Sequence, residues 1–258
     1  MGVVVEEKYN KLVSVITPAF NSARFIEETI QSVQNQTYPH WEMIIVDDCS
    51  TDETVKIIQE YATQDKRIKL IQLMENSGPA VARNTAIRNS RGRYIAFLDS
   101  DDQWLPKKLE KQLQFMEEKG IAFSFTKYRN VDENGVESGT IIEAPEVVSY
   151  SHLLKQNMIG CLTVMLDKTK VGNVEMVNIR SRQDYALWLS LCKKGFQAYG
   201  LQEVLAKYRE VGNSLSSNKL KMAKQNWKLY REIEKLGFLK SSWYFLHYVY
   251  YKVRKYTS

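Results

Sequence analysis

Short apolar runs alternate with amphipathic stretches along the first hundred residues of the chain. LVSVIT at 12–17 and WEMIIVDD at 41–48 have the length of buried strands, and each is followed by residues with helical spacing. Two further apolar runs, at 67–72 and 93–99, continue the pattern. Strands that alternate with helices of this length predict βαβ units, and therefore an α/β fold built on a mostly parallel, Rossmann-like sheet.

The stretches between these runs predict helices, and Ser50 or Thr51 is the expected N-cap of the second one. Beyond the fourth strand, 121–129 predicts another strand and DENG at 132–135 predicts a hairpin turn. Residues 140–218 show a weaker pattern. The predicted helices span about 23–36, 51–63, 78–90, 106–119 and 219–236.

The composition fits one large domain with a short extension. The 258 residues are 44% hydrophobic, enough for a sizeable core, and no run of about 18 apolar residues predicts a spanning helix. We expect a domain over 1–218, with a nucleotide-binding half at about 12–104 and an acceptor half at about 105–218. Three widely separated cysteines argue against a disulfide framework and favour the cytoplasm.

The charge of the chain is concentrated at its C-terminal end. Residues 219–258 carry ten Lys or Arg and two Glu, whereas the rest of the chain has a net charge of −2. Six aromatic residues fall within 243–251, between basic positions. Aromatic and basic residues together favour contact with a membrane surface. A helix that packs its aromatics on the core, or on a second copy of the chain, is the alternative, and nucleic acid is the weakest one.

Acidic residues follow two of the predicted strands. Asp47 and Asp48 end the second strand, and Asp99, Asp101 and Asp102 follow the fourth. In parallel α/β sheets the carboxyl ends of the strands form the ligand site. Clustered carboxylates repel one another, and a hard divalent cation shared with phosphate oxygens would offset that repulsion. For Asp102, capping of the helix expected after Pro106 is an equally good interpretation.

Neither a Walker A sequence nor GxGxxG follows the first strand. Instead TPAFN (17–21), VDDCSTD (46–52), NSGPAVARNTAI (76–87) and RGRYIAFLDSDDQW (91–104) occur in order. Together these four motifs resemble the family-2 glycosyltransferases of the GT-A fold, over about residues 12–215. Within that family the chain is similar to bacterial enzymes of teichuronic acid and capsular polysaccharide assembly.

The resemblance implies a nucleotide-sugar site at the strand ends. Asp101 matches the direct ligand of a Mn²⁺ or Mg²⁺ ion that neutralises the departing diphosphate, and Asp99 faces the same metal, the ribose or the sugar. Capping of the second helix is the alternative for Asp48, and a plain exposed helix position is the alternative for Arg83. The further nucleotide contacts implied are Pro18, Phe20 and Asn21 to the base and ribose, Asp48 to the uracil edge, and Arg83 and Arg209 near the diphosphate.

Asp184 matches the residue that takes a proton from the acceptor hydroxyl, and its alternative is an ordinary acid at a helix N-terminus. Relatives have Glu before this Asp, where this chain has Gln183, and many have His where it has Val211. Trp188, one turn further along, fits core packing better than sugar stacking. Residues 212–218 are polar enough to form a lid.

The resemblance therefore implies an inverting, metal-dependent transfer from a nucleotide sugar, expected to be UDP-linked. The implied acceptor is a lipid-linked or growing cell-surface glycan at the inner face of the membrane, with 219–258 as a peripheral membrane contact. A nucleotidyltransferase of similar fold and a catalytically inactive scaffold are the alternatives, and the oligomeric state stays open. No nucleic-acid partner is expected.

Overall fold

The computed structural model describes residues 11–179, 181–212 and 219–257. Its strands and helices alternate over the first hundred residues as the apolar pattern predicts. The strands are β1 (Val13–Ala19), β2 (Trp41–Asp47), β3 (Ile68–Gln72), β4 (Tyr94–Phe97), β5 (Gln103–Trp104), β6 (Phe123–Val131), β7 (Glu137–Ile142), β8 (Val147–Val148), β9 (Met165–Asp167) and β10 (Ala198–Arg209).

Helices connect these strands and follow the last of them. A 3₁₀ turn spans Cys161–Thr163, and a π-helical turn at Leu229–Ile233 continues the eighth helix. The helices are α1 (Ile26–Gln34), α2 (Thr54–Gln64), α3 (Pro79–Arg88), α4 (Lys108–Glu118), α5 (Tyr150–Lys155), α6 (Lys168–Val171), α7 (Gln183–Lys193), α8 (Lys219–Lys228) and α9 (Phe238–Thr257).

The strands form one mixed sheet in the order β3-β2-β1-β4-β9-β6-β10-β5, with β7 beside β6 and β8 beside β10. The first four strands are parallel, as predicted, and β6 is parallel to β10, whereas β9 runs antiparallel between β4 and β6. Ala19 lies opposite Asp47, and Asp47 lies opposite Gln72. This register brings the loops after β1 and β2 to the same edge of the sheet.

The core consists of two apolar layers, one on each face of the sheet. Ile26, Ile58 and Leu109 belong to the layer that α1, α2 and α4 cover. Ala86 and Leu189 belong to the opposite layer, under α3 and α7. Strand β2 is buried at every position because helices cover both of its faces, which explains its unbroken apolar run.

Several element boundaries differ from the predicted ones. Helix α2 begins at Thr54, because the Asp52 carboxylate, rather than Ser50 or Thr51, accepts the hydrogen bond from the Thr54 N–H (3.0 Å). The helix after Pro106 begins at Lys108. The DENG hairpin is confirmed, since β6 and β7 are antiparallel around it. The predicted lid over 212–218 falls mostly outside the described residues.

The weakly patterned region 140–218 holds more regular structure than its sequence predicts. It contains α7, which is buried along most of its length, and the long strand β10. Strand β10 lacks a clean alternation because it pairs with three other strands and its pairing with β6 shifts register twice. Local patterning is therefore a poor guide where partners on several sides decide burial.

The C-terminal extension is helical, as predicted, and part of it packs on the core. Leu229 and Tyr230 are buried in the layer under α7, and Tyr248 of α9 is 7% exposed. Glu234 is also buried, where it accepts hydrogen bonds from the Tyr150 hydroxyl (2.5 Å) and Lys193 (3.2 Å). Within the described ranges, no helix combines the length and apolar character that a membrane crossing requires.

Trp188 is a core residue. Its side chain is fully buried and lies against Phe97 and Phe123, with ring centroids 5.5 and 5.3 Å away. These contacts join α7 to β4 and β6. The core interpretation of Trp188 is therefore confirmed, and stacking on a sugar is not compatible with its burial.

Replacing Trp188 by Ala should reduce the free energy of unfolding by about 3–5 kcal/mol, because it removes a large buried ring and leaves a cavity. Urea denaturation of the purified variant measures this. Trp243→Ala is the matched control, since Trp243 is 59% exposed and should change stability by no more than about 0.5 kcal/mol. Equal stability of Trp188→Ala and the parent would contradict the assignment.

Candidate active site

The carboxyl ends of β1, β2 and β4 open into a cavity of about 490 Å³. Polar residues of the sequence motifs line this cavity, and most of the predicted nucleotide contacts lie on its wall. Val211, which stands where many relatives have His, also faces this cavity. The predicted site residues on its wall are Pro18, Phe20, Asn21, Asp48, Asp99 and Asp101.

Asn21 fixes the loop after β1 to the loop after β2. Its backbone is left-handed (φ 47°), a conformation that Asn tolerates better than most residues. The Asn21 N–H donates to the Ser50 hydroxyl (2.9 Å), and its side-chain oxygen accepts from the Thr51 N–H (2.8 Å). Phe20 stays 48% exposed beside it. The strand-end wall is therefore held rigidly while one aromatic ring remains open to a ligand.

Asp48 joins β2 to the N-terminus of α3. Its two carboxylate oxygens accept hydrogen bonds from the Ser77 N–H (2.7 Å) and the Gly78 N–H (2.8 Å). Capping of α2, the alternative for Asp48, is therefore wrong. Each carboxylate oxygen has a second lone pair, so Asp48 can still accept a hydrogen bond from a nucleobase N–H in the cavity.

Arg83 projects from α3 beneath the acidic loop. It is 5% exposed, so an exposed helix position is excluded, and its Nη2 donates to the Asp99 carboxylate. Burial acts to lower the Arg83 pKa, but the carboxylates of Asp99 and Asp184 outweigh it and the pKa is raised. Its Nε and Nη1 are buried without a partner among the described residues. Arg83 is therefore a permanent cation with unused hydrogen-bond donors.

The acidic loop after β4 concentrates negative charge. Burial, and then the nearby charge of Asp99, raise the pKa of Asp101 to about 6. Asp102 is almost fully buried, and burial together with Asp101 and Asp99 raises its pKa as well. The Asp102 carboxylate accepts a hydrogen bond from the Arg209 N–H (2.9 Å) instead of capping a helix. The capping interpretation of Asp102 is wrong.

Arg209 contacts the acidic loop with its side chain and its backbone, and these contacts differ from its expected role. Its side chain is 1% exposed. Its Nε donates to the Asp101 carbonyl oxygen (2.9 Å), Nη1 to the Glu133 carbonyl oxygen (3.0 Å), and Nη2 to the Glu28 carboxylate (2.5 Å). The predicted contact with a diphosphate is therefore not compatible with this geometry. Arg209 positions the acidic loop instead.

A second cavity, of about 620 Å³, opens on the other side of the acidic loop. Asp184 lies on its wall, in the first turn of α7. The helix begins directly after Arg182, whose backbone is left-handed (φ 70°). Burial raises the Asp184 pKa, and the opposing charge of Arg83 limits the rise. The neighbouring Gln183 does not line this cavity; it is buried, and its Oε1 has no partner among the described residues.

Asp99 lies on the walls of both cavities. The described chain thus has a strand-end cleft and a second cavity that meet at one carboxylate, with Asp184 in the second. The second cavity also receives residues that local sequence patterns did not indicate, because the remote helices α8 and α9 supply them. These are Asn226, Tyr248, Tyr251 and Lys252. Arg182, directly before α7, lines the same cavity.

The residues at this junction fit a divalent cation that is shared with a ligand. No group of three metal-ligating side chains occurs among the described residues. Asp99 and Asp101 nevertheless face the same cleft, where burial and then the charge of Asp99 raise the pKa of Asp101. Mg²⁺ and Mn²⁺ are often held by one or two carboxylates plus substrate phosphates, which matches this pair.

Solved structures that are similar to this chain have the GT-A fold. S. aureus TarS residues 1–349 in complex with UDP-GlcNAc has a TM-score of 0.73 at 20% identity, covering 93% of this chain and 71% of that one. The mannosyltransferase PcManGT from Pyrobaculum calidifontis, in complex with GDP-Man and Mn²⁺, has a TM-score of 0.67 at 18% identity, covering 87% and 64%. The predicted fold class is confirmed.

Sequence comparison gives the family. Residues 14–171 match glycosyl transferase family 2, and the chain belongs to this family of enzymes. It is 56% identical over 247 residues to TuaG of Bacillus subtilis (strain 168), a glycosyltransferase assigned to teichuronic acid biosynthesis, covering 96% of this chain and 98% of TuaG. WfgD of Escherichia coli, a UDP-Glc:α-D-GlcNAc-diphosphoundecaprenol β-1,3-glucosyltransferase, is 37% identical over 247 residues, covering 95% of each chain.

The Asp101→Asn variant should be more stable than the parent in the absence of ligand and metal. The folded-state pKa of Asp101, about 6, lies above that of a free Asp, so ionisation costs folding free energy as pH rises from about 4 to 6. Asn removes this cost. The gain in Tm should therefore be largest above pH 6 and should shrink towards pH 4.

Thermal unfolding scans in metal-free buffer between pH 4 and 8 measure the difference. Asp65→Asn is the control, because Arg67 pairs with Asp65 and lowers its pKa, so this variant should lose stability at neutral pH. An Asp101→Asn variant that is less stable than the parent at pH 7.5 would contradict the proposed repulsion.

Proposed function

We propose that the chain is an inverting, metal-dependent glycosyltransferase that moves a sugar from a UDP-sugar to a lipid-linked or growing cell-surface polysaccharide. One observation carries the proposal: the strand-end cleft and the cavity that holds Asp184 meet at Asp99. A nucleotide sugar bound in the cleft would place its sugar at this junction. An acceptor in the second cavity would then approach that sugar from the side of Asp184.

The strand-end cleft is the proposed donor site. Asp48 offers free lone pairs to a uracil N–H, and the exposed ring of Phe20 offers an apolar surface for the base. The named donor of WfgD is UDP-Glc, and TarS was solved with UDP-GlcNAc, which favours a UDP-linked donor here. Arg83 supplies a buried positive charge close to the proposed position of the diphosphate.

Asp99 and Asp101 are the residues that would hold Mn²⁺ or Mg²⁺. When bound, the cation neutralises the charge that develops on the departing nucleoside diphosphate. Arg83 donates to Asp99 and so fixes the direction of that carboxylate. Arg209 fixes the backbone of Asp101 through its carbonyl oxygen. The two arginines therefore keep both carboxylates aimed into one cleft.

Asp184 is the proposed base. It accepts the proton of an acceptor hydroxyl while that oxygen forms its bond to the anomeric carbon, and the bond from this carbon to the diphosphate oxygen breaks as UDP leaves. A single displacement with one carboxylate inverts the anomeric configuration. Burial raises the Asp184 pKa, which makes the carboxylate a stronger base than a solvated Asp.

The two alternatives from the sequence have less support. A nucleotidyltransferase of this fold is not favoured, because the chain belongs to a glycosyltransferase family. An inactive scaffold is not favoured either, because Asp99, Asp101 and Asp184 all line cavities. The proposed acceptor class rests on the names of two relatives. TuaG is named for teichuronic acid biosynthesis, and the name of WfgD contains a diphosphoundecaprenol-linked sugar.

We place the enzyme in the cytoplasm, at the inner face of the membrane, through helix α9. One face of this helix packs on the core, but the opposite face leaves large apolar side chains in solvent, spaced three or four residues apart. Lys240 and Arg254 on the same helix are exposed. This combination is typical of a helix that lies in a membrane interface. The exposed apolar side chains are Leu239, Trp243, Leu246 and Tyr250.

Asp184→Asn should lower the rate of sugar transfer by about 10²–10⁴-fold, because the amide cannot accept the acceptor proton. The affinity for UDP should stay within about twofold of the parent, since Asp184 lies outside the donor cleft. Transfer is measured with UDP-glucose and a short-chain GlcNAc-diphosphate lipid, and NMR of the product reports the anomeric configuration. Asp65→Asn is the control, because Asp65 lines neither cavity, and it should transfer sugar at the rate of the parent. Equal transfer rates for Asp184→Asn and the parent would contradict the assignment of Asp184 as the base.

Replacing Leu239 and Leu246 together by Ser should lower the recovery of the protein with anionic vesicles in a flotation assay by several-fold, because it removes apolar area from the exposed face. Point substitutions are preferable to deletion of 238–258, since α9 also packs on the core. The double variant Met74→Ser, Val136→Ser alters two exposed apolar residues elsewhere and should float like the parent. Unchanged flotation of the α9 variant would remove the membrane-surface proposal.

A further inference from the structure

We propose that the C-terminal extension completes an anion subsite in the second cavity, where Lys252 of α9 and Arg182 before α7 bind the diphosphate of a lipid-linked acceptor and Asn226 of α8 contacts the adjoining sugar. The inference rests on the proposed function and deepens it. It assigns to α8 and α9 a part in acceptor recognition, in addition to packing on the core and contacting a membrane.

Arg182 is directed towards the extension rather than buried in an ion pair of the core. Its Nη2 donates a long hydrogen bond to the Tyr248 hydroxyl (3.4 Å), and its guanidinium lies 5.8 Å from the Tyr248 ring centroid. Its Nε is buried with no partner in the part of the chain that the structure describes. A guanidinium held by an aromatic ring, with an unused N–H, is suited to a phosphate oxygen.

Asn226 is a second polar residue of this wall, and its contribution does not depend on charge. The residue is 1% exposed, and its Oδ1 is buried with no hydrogen-bond partner among the described residues. Its side chain contacts the hydroxyl of Tyr230, which itself donates to the Leu154 carbonyl oxygen (2.5 Å). A buried acceptor without a donor is costly, and a sugar hydroxyl of a ligand in the cavity would relieve that cost.

The cavity is electrically polarised. Asp99, Asp102 and Asp184 lie on the wall at the sheet edge, whereas the exposed Lys252 lies on the wall that α9 provides. Glu143 also lines the cavity, but Lys127 forms an ion pair with its carboxylate. A ligand with a neutral hydroxyl at one end and an anionic group at the other fits this distribution. A sugar bound to lipid through diphosphate has both.

The position of α9 favours a lipid-linked anion over free phosphate. Tyr248 and Lys252 face the cavity, while Leu246 and Tyr250, about half a helical turn away, project into solvent. An acceptor whose diphosphate lies on the cavity side of α9 could therefore keep its hydrocarbon chain in a bilayer that the exposed face contacts. The name of WfgD contains such an acceptor, α-D-GlcNAc-diphosphoundecaprenol.

The test is calorimetric titration of three probes into the full chain with UDP and Mn²⁺ at saturation, so that the donor cleft is occupied. The probes are octyl-diphospho-GlcNAc, octyl N-acetylglucosaminide without phosphate, and inorganic pyrophosphate. Lys252→Gln and Arg182→Gln should each weaken binding of the first probe about tenfold, the effect of one lost charge-assisted hydrogen bond. Lys240→Gln, on the same helix but outside this cavity, should bind like the parent.

Asn226→Leu separates recognition from folding. Because it replaces a buried amide whose oxygen has no donor by an apolar side chain of similar size, it should change Tm little while weakening the binding of the first probe. A purely structural role for Asn226 would instead lower Tm and leave the affinity unchanged.

Each outcome of the titration decides the proposal. Tight binding of the diphosphate probe alone, weakened in the Lys252 and Arg182 variants, supports it. Equal affinities of parent and variants, equal binding of the glycoside that lacks phosphate, or no binding of the first probe would overturn it. Pyrophosphate that binds as tightly as the first probe would exclude the lipid-linked source. Failure to bind UDP at the start would contradict the proposed function instead, so the two failures are distinguishable.

Discussion

The repulsion among carboxylates at the end of β4 is the constraint on which the rest of the site depends. Asp99, Asp101 and Asp102 fall within four residues in a partly buried loop, where burial and mutual charge raise the pKa of the latter two. Two buried arginines from remote elements, Arg83 from α3 and Arg209 from β10, hold this loop in place. The acidic cluster therefore lowers the stability of the fold, and a cation bound together with a diphosphate would offset its charge.

The C-terminal extension combines core packing with an exposed apolar surface, which its sequence presents as alternatives, and it also lines the second cavity. Tyr248 packs towards the core, Leu246 and Tyr250 stay in solvent, and Lys252 reaches the cavity that holds Asp184. A helix has separate faces, so packing on the core and an exposed apolar surface do not exclude each other. This arrangement links the proposed contact with a membrane directly to the proposed site of the acceptor.

The sequence predicted which residues come together at the strand ends, because parallel strands bring the residues that follow them to one edge of the sheet. Asp48, Asp99 and Asp101 line one cleft, as strand boundaries and motifs indicate. The contact between Arg209 and Asp102 could not be predicted, because it joins residues 107 positions apart. The part that α8 and α9 play in the second cavity could not be predicted either, since no local pattern shows where a remote helix packs.

The central claim is that the strand-end cleft binds a uridine nucleotide together with a divalent cation held by Asp99 and Asp101. Calorimetric titration of UDP with and without Mn²⁺, into the parent and the Asp101→Ala variant, tests it most directly. Binding of UDP to the parent should require Mn²⁺ and should be lost in Asp101→Ala. Tight binding without the metal, or equal metal-dependent binding by Asp101→Ala, would contradict it.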